Sequence, residues 1–336
     1  MKKILLTCAL LSLASYTQAA NLINHAEVQA QRDCFRGNYS DYAAWRDSMV
    51  KKYRKKLKAE EKVIAVLNRF DQTYSEKAFI TYQERLTCQT FSYLVNGHKV
   101  YGFMIKPKMV ENKLPILVYN RGGNGDYGAV TFAAMMRNLF PVADKGFVII
   151  GSQYRGTYNK NSLVDDEFGG KDIADVTTLI KLIPHISVAD EKRVGMFGAS
   201  RGGMQTYLAL KQSDNIKAVA VIAGNADLVG GLEQRPTMAR VHRKRIPNYD
   251  NNQQAELAKR SVLKWLDKLP QDVPILLLHG TSDQRVSVEQ SITLADALDK
   301  SGMPHKLVLY PGDNHGLSHN RTKANQEIVN WFEKYL

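Results

Sequence analysis

The stretch Arg193-Val-Gly-Met-Phe-Gly-Ala-Ser-Arg-Gly-Gly-Met204 decides how the rest of the chain is read. An apolar run reaches Phe197, small residues surround Ser200, and Met204-Gln-Thr-Tyr-Leu-Ala-Leu-Lys211 continues with helical character. A buried strand, a sharp turn and a helix are therefore expected in that order. Within the turn, Gly198-Ala199-Ser200-Arg201-Gly202 fits G-x-S-x-G, the pattern of a serine on a strained strand-to-helix corner with its hydroxyl exposed. Bulky neighbours would collide across so tight a corner. The five letters alone also describe an ordinary glycine-flanked turn, so the flanking elements and chemical partners elsewhere must carry the reading.

Outward from that corner, strands and helices alternate. Strands are expected over 115–120, 146–151, 216–223, 274–280 and 305–310, with helices over 130–140, 170–183, 287–300 and 323–335. Alternation of this kind predicts an α/β fold with a largely parallel sheet and helices on both faces. Its active site should lie beyond the carboxyl ends of the strands, where the loops Arg121-Gly122-Gly123-Asn124-Gly125 and Tyr154-Arg155-Gly156 also fall. Residues 227–269 break the alternation between two core strands, are polar and basic, and read as a lid insertion with a helix over 253–266.

Ahead of the alternating region, 24–70 reads as helical and charged. Tyr42, Trp45, Met49 and Tyr53 recur there at helical spacing and form a packing face. Strands are expected over 78–86 and 89–95, and Asn96-Gly97 turns the chain into another over 99–105. The first twenty residues read as a secretory signal. Lys2 and Lys3 precede an apolar run from Ile4 to Leu13, and Thr17-Gln-Ala-Ala20 offers small residues for cleavage. That run is too short for a permanent membrane anchor, and Cys8 lies too early in it for lipid attachment. The organisation is then a signal at 1–20, a helical extension over 21–75 and an α/β domain over 76–336. A periplasmic or secreted location follows.

Beyond the signal remain Cys34 and Cys88, for which an oxidising compartment makes a disulfide the expected state and two buried thiols the alternative. Neither lies beside a histidine at metal-ligand spacing, so no metal is expected. The chain is basic, with a formal charge of +13, concentrated in runs at 51–58 and 240–245. No nucleic-acid-binding module accompanies them, which argues against such a partner. The first run reads as a solvated helix face, while the second leaves open a weak attraction to anionic envelope surfaces or to acidic substrates. The oligomeric state is not legible.

A serine hydroxyl becomes a nucleophile when a base takes its proton and an acid orients that base. Leu278-His-Gly-Thr-Ser-Asp283 places an acid after one strand, and Tyr310-Pro-Gly-Asp-Asn-His-Gly316 a histidine after the last. This makes Asp283 the orienting acid and His315 the general base, in the chain order Ser, Asp, His. Asp313 sits too near His315 in sequence to reach its ring and takes a loop role. His279 reads as a core histidine, His305 as structural, and His319 is the second choice for base. The backbone N–H of Arg201 and the glycines Gly122 and Gly123 are the candidate oxyanion donors.

With these residues in view, the chain resembles the catalytic domain of the prolyl oligopeptidase family of serine peptidases, an α/β-hydrolase fold. The resemblance rests on Gly198-Ala-Ser-Arg-Gly-Gly203, Asp166-Glu-Phe-Gly-Gly170 with Asp172 and Asp175, Tyr154-Arg155-Gly156 and His279-Gly-Thr-Ser-Asp283, and covers about 99–336. It implies the same assignment of Ser200, Asp283 and His315, hydrolysis through an acyl-enzyme, a small peptide or ester as substrate, and no cofactor. Many members carry a β-propeller that is not seen in this sequence. Where many have Tyr or His before the glycine pair, Arg121 stands here, so a hydroxyl on the oxyanion is missing or Arg121 binds a substrate carboxylate. Arg121, Tyr154 and Arg155 are accordingly the candidate substrate contacts. A carboxylesterase of the same fold is the alternative enzyme. A non-catalytic envelope-binding protein on the same scaffold is the alternative outside enzymes.

Overall fold

The computed structural model describes residues 21–158 and 165–336, so the expected signal at 1–20 lies outside the described residues. Strands Val28–Asp33 (β1), Leu86–Val95 (β2), His98–Pro107 (β3), Leu114–Asn120 (β4), Val148–Ser152 (β5), Ala189–Ala199 (β6), Ile216–Ile222 (β7), Ile275–Gly280 (β8) and His305–Tyr310 (β9) form one sheet. Their spatial order is β1-β2-β3-β5-β4-β6-β7-β8-β9. From β5 onward neighbouring strands are parallel, while β1, β2 and β3 join antiparallel to one another and to β5.

The parallel strands are apolar on both sides, and each alternation feeds a different layer. Ile116, Val118, Val219, Val221, Ile275 and Leu277 enter one core, whereas Leu117, Ala218, Ala220, Leu276 and Leu278 enter the other. Such strands need cover on both faces. Helices Ile173–Leu182, Arg201–Leu210 and Glu289–Lys300 supply it on the first face, through Leu179, Leu208 and Leu298 among others. On the second, Arg321–Tyr335 contributes Ile328 and Phe332, and a helical segment from Phe132 to Ala143 contributes Met136 and Phe140.

Two expectations about the N-terminal region are corrected. Part of the stretch read as helical is β1, which pairs with β2 as an edge strand. The strand expected over 78–86 is instead the helix Glu76–Arg85, whose first turn is closed by the Ser75 hydroxyl accepting from the Ala78 N–H. Helices Tyr42–Lys56 and Glu60–Thr73 precede it, and Trp45 is the buried residue of the expected stripe. The indole meets Phe70 at 4.8 Å and Phe132 at 5.2 Å, edge-on in both cases. Cys34 and Cys88 are disulfide-bonded, joining the residue after β1 to β2. The basic run at 51–58 is the exposed last part of the helix Tyr42–Lys56 and the two residues after it, with Tyr53 and Leu57 half-buried.

Between β7 and β8 the chain leaves the sheet and forms helices Leu228–Gln234, Ala239–Arg245 and Tyr249–Ala258. The helix expected over 253–266 ends at Ala258 and gives way to tight turns at Val262–Lys264 and Leu266–Lys268. In the basic run of this insertion, Arg240, Arg243 and Lys244 face solvent, His242 is buried, and Arg243 pairs with Asp250.

Candidate active site

At the end of β6 the chain turns on Ser200, which sits at φ 58° and ψ −125°, a conformation costly for any residue with a side chain. The corner is held by the Ser200 N–H donating to Ile222 O at 2.8 Å and by Ser200 O accepting from Gly203 N at 2.9 Å. Glycine is obligatory at 202, where a Cβ would lie 2.0 Å from Asn120 O. The sharp turn and the approach of β4 to the helix behind it thus require the small residues that the motif supplies.

Ser200 and His315 line one cavity of about 830 Å³, a volume suited to a ligand of a few residues. His315 Nδ1 lies 2.6 Å from Asp283 Oδ2. Burial works against ionisation of Asp283, but hydrogen bonds from His279 and His315 and from the Arg285 backbone N–H outweigh it and hold the carboxyl well below the usual range. An ionised carboxylate only accepts, so the His315 Nδ1 that faces it carries a hydrogen, and Nε2 is the nitrogen left clear of the acid. The loops bearing the two residues are joined directly. Ser282 N donates to Asp313 O at 2.9 Å, and Gly312 N to Thr281 Oγ1 at 2.8 Å.

His279 is the buried, fully bonded core histidine that was expected, and it also holds Asp283. Its Nε2 faces Asp283 Oδ2 and Val286 O, both at 3.0 Å, and its Nδ1 faces Ser291 Oγ at 2.7 Å. Two acceptors around Nε2 place the hydrogen there, so Nδ1 accepts from Ser291. Asp283 Oδ2 is thereby shared by His279 and His315. Asp313 accepts from the N–H groups of Asn314, His319 and Asn320, which is a loop role, while His319 is exposed and lies off the cavity. His305 bonds Met303 O at the start of β9, far along the strand from this rim.

The glycine loop after β4 reaches the serine. A Cβ on Gly122 would stand 3.2 Å from Ser200 Cβ, so its backbone passes directly over the corner. Among the described residues, the N–H groups of Gly122, Gly123 and Arg201 find no protein acceptor. Arg201 opens its helix, where the first N–H groups are unpartnered by construction. These N–H groups remain the candidate donors for an oxyanion.

The expected substrate contacts Arg121, Tyr154 and Arg155 are corrected by their surroundings, because none of the three lines the cavity. Arg121 is buried and spends its donors on loop carbonyls, with Nη1 on Gly122 O and Tyr127 O, Nη2 on Gly125 O, and Nε on Gln153 O. It is the post around which the glycine loop is wound. Tyr154 is buried beneath it and donates to Arg121 O, and Arg155 is ion-paired with Asp175 at 2.7 Å. Sequence reasoning also valued Arg201 for its N–H alone. Its side chain is buried between Asp166 at 2.8 Å and Asp172 at 2.6 Å, and donates to Gly123 O at 2.9 Å. Burial opposes the charge of Asp172, yet Arg201 and the N–H groups of Gly169, Glu167 and Gly170 lower its pKa.

The Prolyl oligopeptidase family pattern matches residues 133–336, more than half of the chain. An uncharacterized peptidase, YtmA, of Bacillus subtilis is 25% identical over 262 residues, covering 78% of this chain and 97% of that protein. Dipeptidyl-peptidase 5 of Porphyromonas gingivalis is 24% identical over 254 residues, which is 71% of this chain but 36% of that one. Among solved structures, the acylaminoacyl peptidase of Pyrococcus horikoshii superposes with a TM-score of 0.64 at 24% identity, covering 76% of this chain and 43% of its own, a likeness of fold. Apart from the Bacillus protein, the chain spans less than half the length of these relatives.

Proposed function

The chain belongs to the prolyl oligopeptidase family, and on that footing we propose that it is an exported serine peptidase that cleaves small peptides through Ser200, His315 and Asp283. The observation that carries the reading is the hydrogen bond from His315 to an ionised Asp283 on the wall of the cavity that Ser200 also lines. His315 Nε2 takes the Ser200 proton as Oγ attacks the carbonyl carbon. The oxyanion is held by the N–H of Arg201 and of the Gly122-Gly123 loop. The C–N bond breaks as His315 returns the proton to the leaving amine, and a water activated by His315 then hydrolyses the acyl ester and restores Ser200. No cofactor enters this scheme.

Export is supported by the signal-like start of the sequence and by the Cys34–Cys88 bond, which persists in oxidising compartments. A fluorophosphonate probe should label the wild-type protein and leave Ser200→Ala unlabelled. The same substitution should lower kcat on a peptide amide by about 10⁴-fold or more. Hydrolysis of simple esters with no turnover of any peptide would make the enzyme a carboxylesterase instead. Recovery of a shortened chain beginning near residue 21 from the periplasm or medium tests the location.

A further inference from the structure

We propose that the cavity selects peptides bearing a carboxylate, either an acidic side chain or a free C-terminus, through Arg137, Arg235 and Arg285; the inference rests on the peptidase reading above. Three separate elements bring these arginines to one cavity. Arg137 follows the oxyanion loop, Arg235 ends the helix Leu228–Gln234 of the insertion, and Arg285 follows the acid Asp283. All three are exposed, and among the described residues none is in an ion pair. Residues 1–20 and 159–164, outside the described set, contain no Asp or Glu that could neutralise them.

Acids do not balance this charge from within. The cavity lining contains two, Asp227 and Asp283. Asp227 is occupied by the N–H groups of Val229 and Gly230 at the start of its helix. Asp283 is occupied by His279, His315 and the N–H groups of Arg285 and Val286. A cationic terminus or side chain of a substrate would therefore meet two carboxylates already bonded within the protein, and three guanidiniums with no acid partner. Arg285 is already oriented, since its Nη1 donates to the Tyr127 hydroxyl at 3.1 Å and leaves its remaining donors open. Arg201, the fourth arginine of the lining, is committed to Asp166 and Asp172 and is not available to a substrate. A guanidinium fork suits a carboxylate because two N–H groups meet two oxygens.

The test compares kcat/KM on matched blocked peptides that differ by Glu against Gln at one position at a time, and by a free against an amidated C-terminus. The preference for the carboxylate member should be about tenfold or more at low ionic strength and shrink at 0.5 M salt, since the pairing lies partly in water. Preference in the Glu arms identifies a side-chain carboxylate, and preference in the C-terminal arms a chain end. The triple variant R137Q/R235Q/R285Q should bring the ratio toward one, and R137K/R235K/R285K, which keeps the charge without the fork, should hold it between that and the wild-type value. A ratio at or below one in a wild-type enzyme that turns over the neutral peptides overturns the proposal and leaves the peptidase reading standing. An unchanged ratio in the triple Gln variant also overturns it. Absence of probe labelling at Ser200 instead removes the reading beneath it.

Discussion

A histidine sealed between aromatic rings beside a guanidinium cannot take up a proton easily. His242 lies against Phe168 at 5.2 Å and Tyr249 at 5.8 Å, and its Nδ1 has no partner. Burial first, and Arg260 second, push it down to about 4. The unfolded chain therefore binds the proton first as the pH falls below 6.5, and stability is lost between there and about 4. At roughly 1.4 kcal/mol per pH unit the loss totals about 3 kcal/mol. The urea midpoint of the wild type should fall between pH 7 and pH 5, and His242→Gln should fall less; equal falls would show that another group carries the effect. None of this could be read from the sequence, where His242 stood inside a basic run. Its burial is fixed by Phe168 and Tyr249, which come from distant segments. The Ser, Asp and His candidates were legible because each follows a recognisable strand, whereas the support of Asp283 by His279 depends on a four-residue return that only the folded loop makes.

The elbow and the glycine loop are separate elements bound into one by Arg201. Its guanidinium joins two carboxylates to the carbonyl of Gly123, all in the interior. Removing it strands two buried acids, and such losses cost about 3–5 kcal/mol. Arg201→Met should lower the unfolding midpoint accordingly, and adding Asp172→Asn should recover part of it, both followed by chemical denaturation; no recovery would mean that packing, not charge, was lost. The strand-turn-helix at Ser200 was readable because steric demand restricts it to a few small residues. The helix Glu76–Arg85 was misread because Phe79, Ile80, Thr81 and Tyr82 favour strands, although Ser75 at its start was a capping signal. The strand β1 was hidden for the opposite reason. Val28-Gln-Ala-Gln-Arg-Asp33 has little strand character of its own and is held by pairing with β2.

At the scale of the molecule, the disulfide closes a loop of 54 residues that contains the three N-terminal helices. Restricting the unfolded chain to that extent is worth about 4 kcal/mol. Cys34→Ser with Cys88→Ser should lower the thermal midpoint by several degrees, checked by calorimetry beside the oxidised wild type; an unchanged midpoint would show that the bond constrains nothing the helices do not already hold. The alternation of strand and helix made the α/β architecture legible from β4 onward, since apolar strands of that kind must be covered twice. The charge of the cavity was not, because Arg137, Arg235 and Arg285 lie far apart in sequence while the visible basic run at 51–58 is spent on solvent. The aromatic seam has a practical corollary. Cutting away the helices Tyr42–Lys56 and Glu60–Thr73 would take Trp45 from Phe132 and leave a greasy scar beneath the segment that follows the glycine loop. The leading helices are thus the catalytic unit's own foundation, and a workable minimal enzyme has to keep them.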